Sequence, residues 1–128
     1  MYITIDTSAI IAVIGNEQVK EEIIYKTKGM SLYAPTSVHW EIGNAFSSML
    51  KRNRINLSTA LGALEVYSQI PIKYIDISLL KSLEISKKFN IYAYDAYLIQ
   101  CSLQTTSPLL TLDKGLKSVA SQFGINTL

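Results

Sequence analysis

Four acidic residues of this sequence either follow predicted strands or open predicted helices. Asp6 follows the β-rich run YITI, and Asp113 follows the apolar run LLTL. Asp95 lies in the first turn of one predicted helix, and Glu41 lies in the second turn of another. Carboxylates that converge repel one another, and a divalent cation removes that cost. Oxygen-only ligands favour Mg²⁺ or Mn²⁺, which activate water and stabilise charge on a phosphoryl group. The four acids therefore predict metal-dependent hydrolysis of a phosphodiester bond.

The elements that must position these acids alternate between short strands and helices. The pattern predicts strands at 2–5, 31–35, 72–76 and 108–112, with a short last strand at 125–128. It predicts helices at 8–14, 19–28, 36–53, 57–70, 78–89, 94–104 and 115–123. Thr36 or Ser37, Ser58 and Ser78 are the expected N-caps of the helices at 36–53, 57–70 and 78–89. Strands joined by helical crossovers imply an α/β fold, with a parallel sheet that helices cover on both faces. Ligands of such sheets bind beyond the carboxyl ends of the strands, where Asp6 and Asp113 both fall.

Each acid also has an ordinary structural explanation. Asp6 and Asp113 suit the N-cap positions of the helices that follow them. Asp95 complements the dipole of its helix, and Glu41 has Arg52 eleven residues further along the same helix as an ion-pair partner. Taken together these explanations weaken, because four of only ten acids fall where strand ends and helix starts converge.

The bulk composition fits one globular domain that spans residues 1–128. Hydrophobic residues make up 48% of the chain and charged residues 17%, which excludes a disordered protein. The single cysteine, Cys101, excludes an internal disulfide and suits a small core residue in a reducing compartment. The net charge of +2 permits a nucleic-acid partner without requiring one. The apolar N-terminal segment has no basic start and is interrupted by Asp6, so we expect a cytoplasmic protein without a secretory signal.

Four segments together resemble the PIN-domain ribonucleases, and among them the small VapC-like toxins of toxin–antitoxin pairs. The segments are YITIDTSAI, PTSVHWEIGNAF, YAYDAYLIQCS and PLLTLDKGLKSVASQFGI, with one of the four acids in each. The resemblance covers nearly the whole chain. It implies a three-layer α/β/α sandwich and an endoribonuclease in which one or two Mg²⁺ or Mn²⁺ ions position water for in-line attack on RNA. It also implies a homodimer and a cognate antitoxin as partner.

By this resemblance Asp6, Glu41, Asp95 and Asp113 are the catalytic, metal-binding acids. Supporting hydroxyl groups match the family at three further positions, namely Thr7, Ser8 and Thr111. One of the two hydroxyls after the first acid would support the metal-bound water or the fourth acid. The threonine before the fourth acid would orient neighbouring carboxylates.

The chain departs from the family pattern just after the fourth acid. Relatives often carry a further acid or hydroxyl residue there, whereas Lys114 and Gly115 stand in this sequence. The departure leaves open the role of Asp113 and the presence of a second metal ion. Lys114 either contacts a substrate phosphate or pairs with Asp113.

Two other groups of residues keep alternative interpretations. Lys51, Arg52 and Arg54 close the long helix, where they complement its dipole or contact RNA phosphates. Three tyrosines surround Asp95 in the sequence, at positions 92, 94 and 97. They stack on unpaired bases, line a protein interface or pack in the core.

The sequence thus supports three hypotheses in order of preference. The first is a metal-dependent endoribonuclease acting as a toxin. The second is a catalytically silent PIN-like module that binds RNA or protein, and the substitution of Lys114 and Gly115 in the family pattern motivates it. The third is another α/β phosphotransfer or phosphatase domain. The third ranks last because the segment DTS lacks the second aspartate expected two residues after Asp6.

Overall fold

A parallel sheet of four strands forms the centre of the protein. The computed structural model describes residues 1–128, and its strands are β1 (Tyr2–Ile5), β2 (Ser31–Pro35), β3 (Ile72–Ile75) and β4 (Leu109–Leu110). The strand order is β3-β2-β1-β4, and every neighbouring pair is parallel. Because β1 and β4 are parallel neighbours, the segments that leave them emerge at the same edge of the sheet.

Seven helices cover this sheet. They are α1 (Thr7–Ile14), α2 (Lys20–Thr27), α3 (Ser37–Lys51), α4 (Leu57–Ser68), α5 (Leu79–Phe89), α6 (Ala93–Thr105) and α7 (Lys114–Gln122). Helix α1 contacts α2, α3 and α4, whereas α6 contacts α5, α7 and the three strands β1, β2 and β4. The predicted three-layer α/β/α sandwich is confirmed. None of the seven helices combines the length and the apolar character that crossing a membrane requires.

Strand β1 directs Asp6 toward the helical layer that carries Asp95. Successive side chains of a strand point to opposite faces of the sheet. Ile5 lines an apolar groove with side chains of α1 and α2, whereas the Thr4 hydroxyl lies 3.6 Å from Sγ of Cys101 on α6. Asp6 keeps an extended backbone, so it continues the alternation to the α6 side, where Asp95 also lies. Cys101 is buried, as predicted, and burial raises the pKa of its thiol to about 11.

Three predicted N-caps are confirmed. The side chains of Asp6, Ser78 and Asp113 each accept a backbone N–H from the first turn of the following helix. The structural explanation for two of the acids is therefore correct, and it does not exclude a catalytic role, because capping uses only one carboxylate oxygen in each case.

Two other predicted caps are wrong. Helix α4 is capped by Asn56, whose Oδ1 accepts the Thr59 N–H at 2.8 Å, so Ser58 already lies inside the helix. Helix α3 has no side-chain cap, because Thr36 already has helical backbone angles and Ser37 is the first helical residue. The hydroxyl of Ser37 is consequently not used at the start of the helix.

The last part of the sheet is shorter than predicted. Strand β4 ends at Leu110, and the predicted strand at 125–128 is reduced to one isolated bridge between Leu109 and Thr127. Beyond Leu110 the backbone bonds to side chains instead of a neighbouring strand, because the Leu112 N–H donates to the Ser8 hydroxyl. Asp113 therefore follows a two-residue link and not the strand itself.

Candidate active site

Asp6 is the most firmly held of the four acids. It is only 4% exposed. Its Oδ1 accepts the Ser8 hydroxyl at 2.7 Å and the Ala9 N–H at 3.1 Å, and its Oδ2 accepts the Thr111 hydroxyl at 2.5 Å. Burial raises the pKa of Asp6 above the ordinary value of 3.8 despite these bonds, and the charge of Asp113 raises it further. Asp6 is thus positioned by donors on both oxygens but has no cation beside it.

Glu41 lies on α3 and is partly buried. Burial raises the pKa of Glu41 above 4.5, and the charges of Asp6 and Asp95 add to this effect. Three buried oxygens here have no hydrogen-bond partner: Oε2 of Glu41, Oγ1 of Thr7 and Oγ of Ser37. The two hydroxyls lie near enough to favour the charged carboxylate, although neither has the geometry of a hydrogen bond to it. Buried polar atoms without partners mark a place where water or an ion is needed.

Asp95 and Asp113 complete the cluster. Asp95 stands in the first turn of α6, and its pKa is raised by burial and then by the charges of Asp113 and Asp6. Asp113 caps α7, with Oδ1 accepting the Leu116 N–H at 3.1 Å. Each of Asp6, Glu41 and Asp95 therefore experiences the charge of at least one other member. The folding chain brings together all four acids that the sequence indicated.

Two hydroxyl groups tie the ends of β1 and β4 together. The Thr111 hydroxyl donates to Asp6 and accepts the Asp113 N–H at 3.0 Å. The Ser8 hydroxyl donates to Asp6 and accepts the Leu112 N–H at 3.1 Å. These four hydrogen bonds fix the position of the Asp113 backbone relative to the carboxylate of Asp6.

The donor set fits a hard cation that keeps part of its water shell. All the candidate ligands are oxygens, and Glu41 and Thr7 contribute buried oxygens that lack partners. No group of three or more histidine, cysteine, aspartate and glutamate side chains is arranged to hold a metal ion. Mg²⁺ does not require such a group, because it retains several waters and binds proteins through one or two carboxylates. The cluster therefore suits Mg²⁺, or the similar Mn²⁺, better than an ion that needs full protein coordination.

The basic residues proposed to contact RNA lie in two different places. Lys51 is ten residues beyond Glu41 on α3, about 15 Å along the helix axis, and Arg52 and Arg54 follow it. Lys114 is exposed and directly follows Asp113. The only ion pair in the protein joins Lys26 to Glu22. The alternative pairings of Glu41 with Arg52 and of Asp113 with Lys114 are therefore absent.

Ser37 is the residue of the cluster that the sequence interpretation missed. It was predicted as an alternative helix cap, whereas its hydroxyl is buried beside Glu41. The signal was available, because residues four apart on a helix lie on the same face. A serine one turn before a candidate catalytic acid is a candidate for the same site.

The comparisons with known proteins identify the family and the fold of the chain. The family model of the PIN domain matches residues 3–122. This chain belongs to the PIN domain family. None of the curated protein sequences compared with the chain matches it. The family assignment therefore rests on the family model and on the fold.

Solved PIN-like structures superpose on nearly the whole chain. The crystal structure of PAE2754 from Pyrobaculum aerophilum has 18% sequence identity and a TM-score of 0.75, over 99% of this chain and 83% of that chain. VapBC2 from Rickettsia felis, bound to a DNA fragment from its promoter, has 13% sequence identity and a TM-score of 0.71. The match covers 100% of this chain and 98% of that chain. VapC20 from Mycobacterium tuberculosis, a toxin that cleaves the sarcin–ricin loop, has 12% sequence identity and a TM-score of 0.64. The match covers 91% of this chain and 93% of that chain. At these identities the likeness establishes the PIN fold.

Proposed function

We propose that this protein is a Mg²⁺- or Mn²⁺-dependent endoribonuclease and the toxin of a toxin–antitoxin pair. The observation that carries the proposal is that four acids lie at one edge of a PIN-domain sheet, close enough for their negative charges to interact. Burial and mutual charge raise the pKa of Asp6, Glu41 and Asp95 together. Structural ion pairs do not explain such a cluster, since none of its members has a cationic partner.

The bound divalent ion would activate water and stabilise the negative charge that develops on the phosphate. Asp6 and Asp95 would hold the ion, with Glu41 and Asp113 contributing from the two sides of the cluster. Thr111 and Ser8 would keep Asp6 oriented through the bonds that they already make. Outer residues that orient ligands in this way strongly influence metal affinity.

Thr7 and Ser37 are suited to a different task in the same site. Their hydroxyls are buried, lack partners and lie beside the partnerless oxygen of Glu41. In the active protein they would bind a water molecule against Glu41 and so position it near the phosphorus atom. A hydroxyl both donates and accepts, so it suits this role without changing the net charge of the site.

The toxin part of the proposal adds protein partners. An apolar groove between α1 and α2 includes Val13, Ile24 and Leu32, and Ile24 is 44% exposed. We assign this groove to the antitoxin, because a segment with apolar side chains would cover it. A homodimer is also proposed, and sedimentation of the purified chain at several concentrations tests it.

The nuclease proposal is tested by cleavage of a mixed panel of transfer and ribosomal RNA. The purified chain is incubated with Mn²⁺ or with EDTA, beside Asp95→Asn prepared identically. Glu65→Gln is the matched control, because it removes one exposed carboxylate from α4, far from the cluster in sequence. We expect metal-dependent cleavage by the wild type and the control, and none by Asp95→Asn.

Two other results would contradict the proposal. Equal cleavage by the wild type and Asp95→Asn would show that the cleavage does not come from the acidic cluster. RNA binding with no cleavage under any metal condition would favour the silent module in its place.

A further inference from the structure

A cleft of about 400 Å³ adjoins the acidic cluster on the side of α3. Its walls include Ser37 and Trp40 from α3, Tyr97 from α6, and Asp76 from the segment after β3. We call it the Trp40 cleft. We infer that the Trp40 cleft binds one unpaired guanine base of the RNA, next to the phosphate that is cleaved. The inference rests on the proposed function, whose substrate preference it specifies.

The aromatic walls suit the flat face of a base. Trp40 is 75% exposed, which leaves a large indole surface uncovered by the protein. The His39 ring packs edge-to-face against it, with centroids 4.8 Å apart, and so restricts its orientation. Tyr97 is partly buried and supplies a second aromatic side chain to the same cleft. Unpaired bases stack on aromatic side chains held in this way.

The carboxylate of Asp76 determines which base the Trp40 cleft prefers. Gln104 holds its segment, because Nε2 donates to the Asp76 carbonyl at 2.9 Å and Oε1 accepts the Ser78 N–H at 2.9 Å. The Asp76 side chain itself has no ion pair. A carboxylate accepts two parallel hydrogen bonds. Of the four RNA bases, guanine alone presents two neighbouring N–H donors on its Watson–Crick edge, at N1 and at the 2-amino group.

Ser37 connects the Trp40 cleft to the acids. It lines the cleft, and its buried hydroxyl lies beside Glu41. A base seated between Trp40 and Tyr97 therefore has its own phosphate within reach of the cluster. The arrangement predicts cleavage at a phosphate next to guanosine in a single-stranded segment.

Trp40 makes the inference measurable without cleavage, because it is the only tryptophan of the protein. Its fluorescence is titrated in EDTA with GMP, IMP, AMP, CMP and UMP. IMP keeps the N1 donor and lacks the 2-amino group. We expect GMP to quench the emission at about tenfold lower concentration than IMP or the other nucleotides. Asp76→Asn should remove the difference between GMP and IMP, and Glu65→Gln should retain it.

The result that would overturn the inference is equal quenching by all nucleotides, or a GMP preference that survives in Asp76→Asn. Absence of quenching would also overturn it. If the Trp40 emission then shifts to the blue with protein concentration, a second copy of the chain occupies the cleft. Because the titration needs neither metal nor turnover, its failure is separate from a failure of the nuclease proposal, which only the RNA cleavage assay measures.

Discussion

The Thr111 hydroxyl donates a hydrogen bond of 2.5 Å to Oδ2 of Asp6, a residue 105 positions earlier in the chain. The same hydroxyl accepts the N–H of Asp113 at 3.0 Å. One fully buried side chain therefore orients the first acid and the backbone of the fourth. The bond links the end of β1 to the segment after β4, and it exists only because these strands are parallel neighbours.

Replacing Thr111 by valine keeps the shape of the side chain and removes both hydrogen bonds. A buried oxygen of Asp6 then loses its donor, so the free energy of unfolding should fall by about 1–3 kcal/mol. Urea denaturation in EDTA measures the change. Thr59→Val is the control, because Thr59 is exposed on α4 and its hydroxyl makes no hydrogen bond. Equal stability of the two variants would contradict the role assigned to Thr111.

The stability of the metal-free protein should fall as the pH rises through the acidic range. The pKa values of Asp6, Glu41 and Asp95 are raised from 3.8, 4.5 and 3.8, chiefly by burial. Between the unfolded and the folded pKa values, the folded state binds more protons than the unfolded state. Their contribution is therefore fully present below the unfolded values and is lost as the pH passes the folded values.

Denaturation in EDTA at several pH values between about 4 and 7.5 tests this dependence. Asp95→Asn should show a shallower decline than the wild type, because it removes one of the three groups. Glu65→Gln should follow the wild type. A wild-type decline that Asp95→Asn reproduces in full would show that the acids do not act as a coupled cluster.

Replacement by alanine should stabilise the protein less at Gly115 than at Gly62, another helical glycine. An alanine Cβ at Gly115 would lie 3.2 Å from Oδ1 of Asp113, whereas one at Gly62 on α4 would meet no atom within 4 Å. Gly62→Ala should raise the free energy of unfolding by about 1 kcal/mol through helix propensity. Gly115→Ala should raise the free energy of unfolding by less, because the added methyl group displaces the capping carboxylate of Asp113. Equal gains in thermal denaturation would contradict this account.

The two basic regions should contribute differently to RNA binding. Lys114 adjoins the acidic cluster, whereas Lys51 lies about 15 Å from Glu41 along α3. For a short RNA oligonucleotide, Lys114→Ala should lower the slope of log affinity against log salt by about one. Lys51→Ala should leave the slope unchanged. Fluorescence anisotropy in EDTA at several salt concentrations measures both, and the reverse outcome would assign phosphate contact to the end of α3.

Much of the fold follows from the sequence because its signals are local. Alternating apolar runs and helical segments predicted all four strands, and the capping residues Ser78 and Asp113 marked helix starts correctly. The predicted last strand failed for a tertiary reason. Its residues meet Leu109 in one isolated bridge, and the neighbouring strand β4 has only two residues.

The acids of the site were predictable from the sequence, whereas its hydroxyl network was only partly so. The acids carry a pattern, since each follows a strand or opens a helix. The partners of Ser8 depend on how β1 and β4 align, which no local signal reveals. Ser37 was misassigned because Thr36 and Ser37 both suit an N-cap, and the backbone at Thr36 is already helical. Asp76 was overlooked because its neighbours in the Trp40 cleft are distant in sequence.

The most direct test of the account is a Mn²⁺ titration of the purified protein by calorimetry. The central claim is that Asp6, Glu41, Asp95 and Asp113 act as one cation site. Wild type and Glu65→Gln should bind Mn²⁺ with equal affinity, and Asp95→Asn and Glu41→Gln should each bind it at least about tenfold more weakly. Equal affinity in all four proteins, or no binding by the wild type, would contradict the claim.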